Sequence, residues 1–342
     1  MTKSNITTNI LTMTLTASLS ICLCLGLPNQ VSAQESKEKE GATITAFNGA
    51  VIQVRQVQSY KMKLIAQALL FNLECSTGDV FRLGAGLTGD YYLPKFASVH
   101  AEYFNSYFNI QKFDAKTLNK SDNALKGFSL FEIGGRFHII DKEGKARHKL
   151  ILSQHTDYTY GGSVTTTRYL KAKFPCRRIF ALRGGLYGTT APVSTDMSKT
   201  ALANSNYGTV KTKDGTVFSD VYFTNEHTTG FYLGLSDLIN MSVLTSFDGG
   251  NYNTSFLKEI YTDVLIAGTS FDPILAGGKS HEIEPNATGS FQTTKIGWRV
   301  GKKMIFTRKT LNMGFSFEMG DRPGVQGKGL YFGCGWSMAF VK

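Results

Sequence analysis

The sequence predicts an all-β fold: an up-and-down antiparallel barrel of about twelve strands, within a range of roughly ten to fourteen, that crosses a membrane. Three observations predict it. From about residue 60 onward the chain keeps returning to alternation of apolar and polar residues, the period of a strand. The row opposite the apolar one carries charged residues beside glycines, as a polar interior would. Short turns alternate with long polar loops, which gives a ring of strands one tight end and one extended end.

Residues 1–33 hold a single charge, Lys3, then an uncharged stretch from Ile10 to Leu27 and the small-residue site Val31-Ser32-Ala33. These features predict a secretory signal cut after Ala33. The hydroxyls of Thr12, Thr14, Thr16, Ser18 and Ser20 interrupt the stretch and argue against a retained helix. Ile21 and Leu23 precede Cys22 and Cys24, so the small residue that a lipoprotein signal needs before its cysteine is missing. Cleavage leaves roughly 309 residues and takes the formal charge from +11 to about +10. Residues 34–59 read as a lead-in that opens with the charged segment QESKEKEGA, and 60–342 as the barrel domain.

Within that domain FRLGAGLTGDYYL (81–93) contains Gly84, Gly86 and Gly89 as G-x-G-x-x-G. A dinucleotide turn needs a strand before it and a helix after it. Here alternation runs through the motif, with Phe81, Leu83, Ala85, Leu87 and Tyr91 on one side, so the stretch is one strand. FASVHAEYF (96–104) follows across Pro94-Lys95 as a hairpin partner. Clear strands recur at 131–139, 179–188, 293–301, 312–322 and 329–342, with less regular ones at 61–71, 148–160, 164–174, 217–235, 239–247 and 256–268. DKEGKA, PCRR and SDLI read as short turns, and 111–127 and 189–215 as long loops. About thirteen segments result, and because single-chain bacterial barrels hold an even number, the expectation is twelve. The most doubtful strand is 61–71, since KMKLIAQALLFNLEC (61–75) also reads as a buried helix.

Alternation alone also describes a secreted soluble β-sandwich or adhesin, whose apolar rows face inward. Strand lengths near ten residues, charged residues opposite the apolar rows, aromatics near strand ends (Tyr91 and Tyr92, Tyr103 to Phe108, Tyr158 and Tyr160, Phe231 and Tyr232) and the lack of a spanning helical run favour the barrel. GFYLGLSDLINMSV (230–243), YTDVLIAG (261–268) and MGDRPGVQGKGLYFGCGWSMAF (319–340) carry a resemblance to outer-membrane β-barrel proteins of Gram-negative bacteria, particularly the Bacteroidetes type. The resemblance implies an outer-membrane location and a periplasmic lead-in. It also implies outer-membrane lipid and lipopolysaccharide as surroundings, and the barrel-insertion machinery as a partner during assembly. It implies no activity. The functional expectation is a passive pore or the membrane scaffold of an envelope complex with a further protein partner.

The polar rows of the clearer strands hold Arg82, Arg136, Arg183, Lys295, Arg299 and Arg322 against Asp90, Glu102, Glu132 and Glu318. Two readings follow: a ladder of interior ion pairs, or a cationic surplus that draws anionic solutes. Ser153, His155 and Asp157 share a strand face, but same-face neighbours on one strand stand about 6.6 Å apart, too far for a serine to reach its base, so no catalytic residue is expected. A remote hydrolase reading rests on those three alone. DGGNYN (248–253) has oxygen ligands at calcium-like spacing without a closing glutamate, and reads as a tight extracellular turn. Asn286-Ala287-Thr288 matches a sequon with no consequence in a bacterium. Cys75, Cys176 and Cys334 stand at unrelated spacings, which predicts neither a disulfide framework nor a zinc site. No metal, no cofactor and no nucleic-acid partner is expected; a basic exported chain more often meets anionic headgroups or polysaccharide.

Overall fold

The computed structural model of the chain describes residues 42–45, 51–56, 62–75, 80–93, 96–110, 123–124, 126–160, 162–194, 210–218, 223–247, 250–287, 290–308, 311–325 and 330–341. Its main element is a meander of ten strands: β1 (Met62–Cys75), β2 (Val80–Tyr92), β3 (Ala97–Ile110), β4 (Ser129–Thr159), β5 (Gly162–Ser194), β6 (Phe223–Phe247), β7 (Gly250–Phe271), β8 (Ile296–Arg308), β9 (Leu311–Asp321) and β10 (Leu330–Val341). Each pairs antiparallel with the next, and β10 returns to β1 from Leu330 opposite Cys75 to Val341 opposite Lys63. The ring is closed, so within the barrel no strand has a free edge.

Ten strands replace the expected twelve, because three misread turns had divided single strands, and joining them takes the thirteen candidate segments to ten. DKEGKA and PCRR are not turns: Asp141 pairs with Ile179, Glu143 with Arg177 and Lys145 with Pro175, so β4 and β5 run straight through them as strands of 31 and 33 residues. SDLI likewise stays in register, with Ser236 opposite Ala181 and Asp237 opposite Phe180. Charge and proline looked like chain reversal, but the DKEGKA and PCRR segments pair with each other in register, and Asp237 is held in its strand by Nη2 and Nε of Arg178 at 2.8 and 2.9 Å. The doubtful segment 61–71 is a strand, not a helix. A register shift between Gln67 and Leu70 interrupts its alternation.

Side-chain parity is inverted relative to a soluble protein. All ten strands present large apolar residues outward, among them Leu64, Leu87, Val99, Phe137, Leu186, Leu233, Val264, Trp298, Phe317 and Met338. The buried positions of the wall are instead rich in Lys, Arg, Asp and Glu. Long connections gather at one end, where Val193, Val210, Phe218, Ile274, Ile283, Phe291 and Val325 form a small apolar cap. The other end carries the ends of β1 and β10 and the tight connections. There a hairpin of Ala42–Thr45 and Val51–Gln56 adds to β6 at Val243–Ser246. The segment read as a turn at 248–253 lies at this same end, opposite the long connections, but Gly250 to Asn253 are strand, paired with Phe247 to Leu244; Asp248 and Gly249 lie outside the described residues.

Glycines on the inner wall make room for aromatic rings. Tyr232 lies across Gly185 and Gly134, and the Phe104 ring occupies the space a side chain at Gly84 would need. Gly84 of the β2 glycine motif is therefore a packing position. Gly185→Val is expected to destabilise the barrel by about 1–3 kcal/mol through overpacking, read as a lower midpoint temperature for the heat-dependent shift in gel mobility. Gly268→Val, at a position with nothing within 4 Å, should leave that midpoint unchanged.

Candidate functional site

The inner wall converges on one ionic lattice. Arg136 on β4 gives Nε and Nη2 to the two oxygens of Glu259 on β7 at 2.7 and 2.9 Å, and Nη1 to Asp90 on β2 at 2.7 Å. Asp90 also meets Lys63 Nζ at 2.6 Å and His100 Nδ1 at 2.8 Å. Arg299 on β8 reaches Asp263 at 2.7 Å and, across the barrel, Glu132 at 2.6 Å. Arg183 lies 3.4–3.6 Å from carboxylate oxygens of Asp263, Glu132 and Glu259, with its guanidinium 3.9 Å from the centre of the Tyr261 ring. Short strand-to-strand distances make these contacts possible, because alternate inward residues of neighbouring strands point at one axis.

Toward the loop end the lattice becomes aromatic. Tyr331 donates to Glu318 at 2.7 Å, Tyr261 donates to its other oxygen at 2.5 Å, and Arg322 stacks 3.7 Å above the Tyr331 ring. Lys303 on β8 reaches Glu102 on β3 at 2.6 Å. Arg82 and Arg322 both lie over the Phe128 ring, at 4.6 and 5.0 Å. Below the lattice, toward the end that carries the β1 and β10 termini, two apolar clusters lie on the inner side of the wall: Ile65, Leu257, Ile305 and Ala339, and Tyr92, Ile179, Ala181 and Leu238. The ionic waist is thus enclosed between apolar packing below and the loop cap above.

Of the residues singled out from sequence, the structure brings Arg82, Asp90, Glu102, Glu132, Arg136, Arg183, Arg299, Glu318 and Arg322 into the interior. Lys295 is excluded: it precedes β8, its side chain is exposed at the rim, and its carbonyl accepts from the Ala267 amide. Sequence reasoning left out Lys63, Glu226, Glu259, Asp263 and Lys303. Glu259, Tyr261 and Asp263 stand at every second residue of one stretch, a signal for a shared inward face. Lys63 was hidden by the helical appearance of its segment. With these added, seven cations (Lys63, Arg82, Arg136, Arg183, Arg299, Lys303, Arg322) face seven acids (Asp90, Glu102, Glu132, Glu226, Glu259, Asp263, Glu318) among the described side chains. The cationic surplus expected from the shorter count is not there.

At the loop rim a separate set of polar contacts ties connections to the wall. Thr190 Oγ1 lies 3.1 Å from His227 Nδ1, and His227 Nε2 lies 3.0 Å from Asp272 Oδ1. The order of groups resembles a catalytic relay, but Asp272 Oδ2 also accepts from Asn225 at 2.9 Å, and Asn225 holds the amide of Lys126 and the carbonyl of Ala124. These contacts fasten the segment around residues 123–128 to β6. The hydrogen bond from His227 holds the Asp272 carboxyl well below the usual carboxylate range, against the effect of its partial burial. On the far hairpin His155 Nε2 and Asp157 Oδ1 approach to 2.8 Å with both side chains exposed, and the side chain of Ser153 lies outside the described residues. The described residues contain no cluster suited to a metal ion.

Arg136→Ala leaves Glu259 buried without its main cation and Asp90 without its second, beside Lys63, and is expected to cost about 3–5 kcal/mol. The double variant Arg136→Met with Glu259→Leu should recover most of it, because the buried charges leave together. Both are read from the midpoint of the heat-dependent gel shift.

No protein-family model matches the chain, and no curated protein matches it. Solved structures similar to it include OmpT (in-vitro folded), an outer membrane protein of Vibrio cholerae, at 8% identity and a TM-score of 0.18, over 87% of this chain and 100% of that one. Another is Salmonella typhi OmpF in a complex with daunomycin, at 7% identity and a TM-score of 0.18, again over 87% of this chain and 100% of that one. At those scores neither superposition informs on function. By its own geometry the protein is a closed antiparallel barrel of ten strands, apolar outside and ionic within.

Proposed function

We propose that the chain is an integral outer-membrane barrel that serves as a sealed scaffold of an envelope complex, and does not conduct solutes. A continuous apolar wall on all ten strands supports the membrane reading: soluble proteins rarely expose apolar patches beyond a few hundred Å², and a closed ring of strands satisfies its backbone inside hydrocarbon. The export signal predicted for residues 1–33 and the alternation of tight and long connections support an outer-membrane address, with the tight end in the periplasm and lipopolysaccharide around the long connections. Insertion would depend on the cell's barrel-assembly machinery.

The observation that carries the scaffold reading is the filled interior. Barrels of about eight strands are packed with side chains, whereas those of about sixteen hold water. Ten strands lie near the first case. Among the described residues the interior charges balance and lie between two apolar layers, which supports a sealed bore. The purified protein in planar bilayers is therefore expected to give no conductance steps; reproducible steps would restore the pore. The same reading gives Ser153, His155 and Asp157 no catalytic role. Esterase activity that disappears in Ser153→Ala would overturn that.

A further inference from the structure

The hairpin that β4 and β5 form beyond the barrel is the largest surface that scaffold reading leaves unused. Among the described residues, β4 from Asp141 to Thr159 pairs only with Gly162–Ile179 of β5. Among the described residues, lateral pairing of β5 ends where Arg177 meets Asn240, and that of β4 ends at Phe137 opposite Ala97. At the rise of a strand the ribbon reaches about 60 Å. A lone two-stranded ribbon is marginally stable in water, and among the described residues no further strand continues its ladder beyond those points.

Its charge is one-sided. Residues 141–178 hold nine Lys and Arg against three Asp and Glu. On the face that continues the barrel's inner wall, Lys145 stands opposite Pro175, Arg147 opposite Lys173, and Lys149 opposite Lys171. The side chains of Lys145, Arg147, Lys171 and Lys173 are exposed. Arg147 opposite Lys173 therefore sets cation against cation across the strands, which is destabilising. On the other face, which continues the lipid-side wall, Phe174 and Cys176 are already buried. The cationic face is the one on offer.

We propose that this ribbon docks an acidic polypeptide, an extended segment rich in Asp or Glu that adds to an open edge and lays its carboxylates over Lys145, Arg147, Lys171 and Lys173. The inference rests on the scaffold reading and names its partner's chemistry. A second copy of the chain would bring the same positive ribbon and be repelled. Lipid headgroups would satisfy the charges but offer no strand to the edges. An anionic polysaccharide would satisfy the charges but not the backbone edges, which only a strand can complete.

The test uses the full-length protein in detergent and a fluorescent peptide of about twelve residues alternating Glu and Val, with a proline-interrupted version of equal charge, dextran sulfate and phosphatidylglycerol vesicles as comparators. The alternating peptide is expected to bind and to weaken as salt screens the face. The K145E/R147E/K171E/K173E variant should bind it at least about tenfold more weakly while keeping the wild-type heat-dependent gel shift. The proline-interrupted peptide should also bind at least about tenfold more weakly. Undiminished binding by the charge-reversed variant overturns the proposal. So does equal binding of the proline peptide, dextran sulfate or the vesicles, which would make the ribbon a general polyanion surface. A silent bilayer with no peptide binding overturns this inference alone; conductance steps overturn the scaffold reading and this inference with it.

Discussion

The guanidinium of Arg136 ties β4 to β2 and β7 at once, and the rest of the interior is organised around such links. Backbone hydrogen bonds hold each strand to its neighbours, but they fix nothing across the bore. The cross-braces are ionic: Glu132 to Arg299 joins β4 to β8, and Glu102 to Lys303 joins strands on opposite sides of the ring. Each buried charge has been taken from water at a cost of several kcal/mol, and partners within about 3 Å offset it only while both members are present. The lattice is therefore less a source of stability than a set of mutual dependencies. Stability must come largely from the backbone ladder and from packing such as Tyr232 over Gly134 and Gly185.

That lattice also explains the outside. With polar groups gathered at the axis, the alternating residues of every strand are left to face away from it, and they are Leu, Ile, Val, Phe and Trp. One period-two pattern supplies both a dry wall and a charged centre. A sandwich built from the same rows would have to expose the charges and bury the apolar residues.

Much of this was legible in the sequence. The alternation assigns Phe131, Ile133 and Phe137 to one face and Glu132 and Arg136 to the other without any structure, and it places β2, β9 and β10 to within a residue or so of their observed ends. It failed where local composition and long-range pairing disagree. DKEGKA has the polarity and glycine of a turn, yet its partner PCRR lies across from it in register, and no local signal records that pairing. β1 was obscured by the register shift between Gln67 and Leu70, which breaks the very period that identifies a strand. In the interior, the inward direction of each residue was readable, but not which acid meets which cation, because Arg136 and Glu259 are brought together only by the closure of the ring.

That closure has a kinetic consequence. The seam from Lys63 opposite Val341 to Cys75 opposite Leu330 joins residues nearly a whole barrel domain apart in the chain. Every other wall pairing is between strands adjacent in sequence and can form as the chain is delivered, but this one must wait for the last strand. Until then β1 and β10 are each an open edge, and the half-assembled sheet carries both unpaired backbone and unmatched interior charge. Assembly should accordingly be slow and governed by its final step, with the C-terminal strand setting the moment at which a sticky curved sheet becomes an inert cylinder.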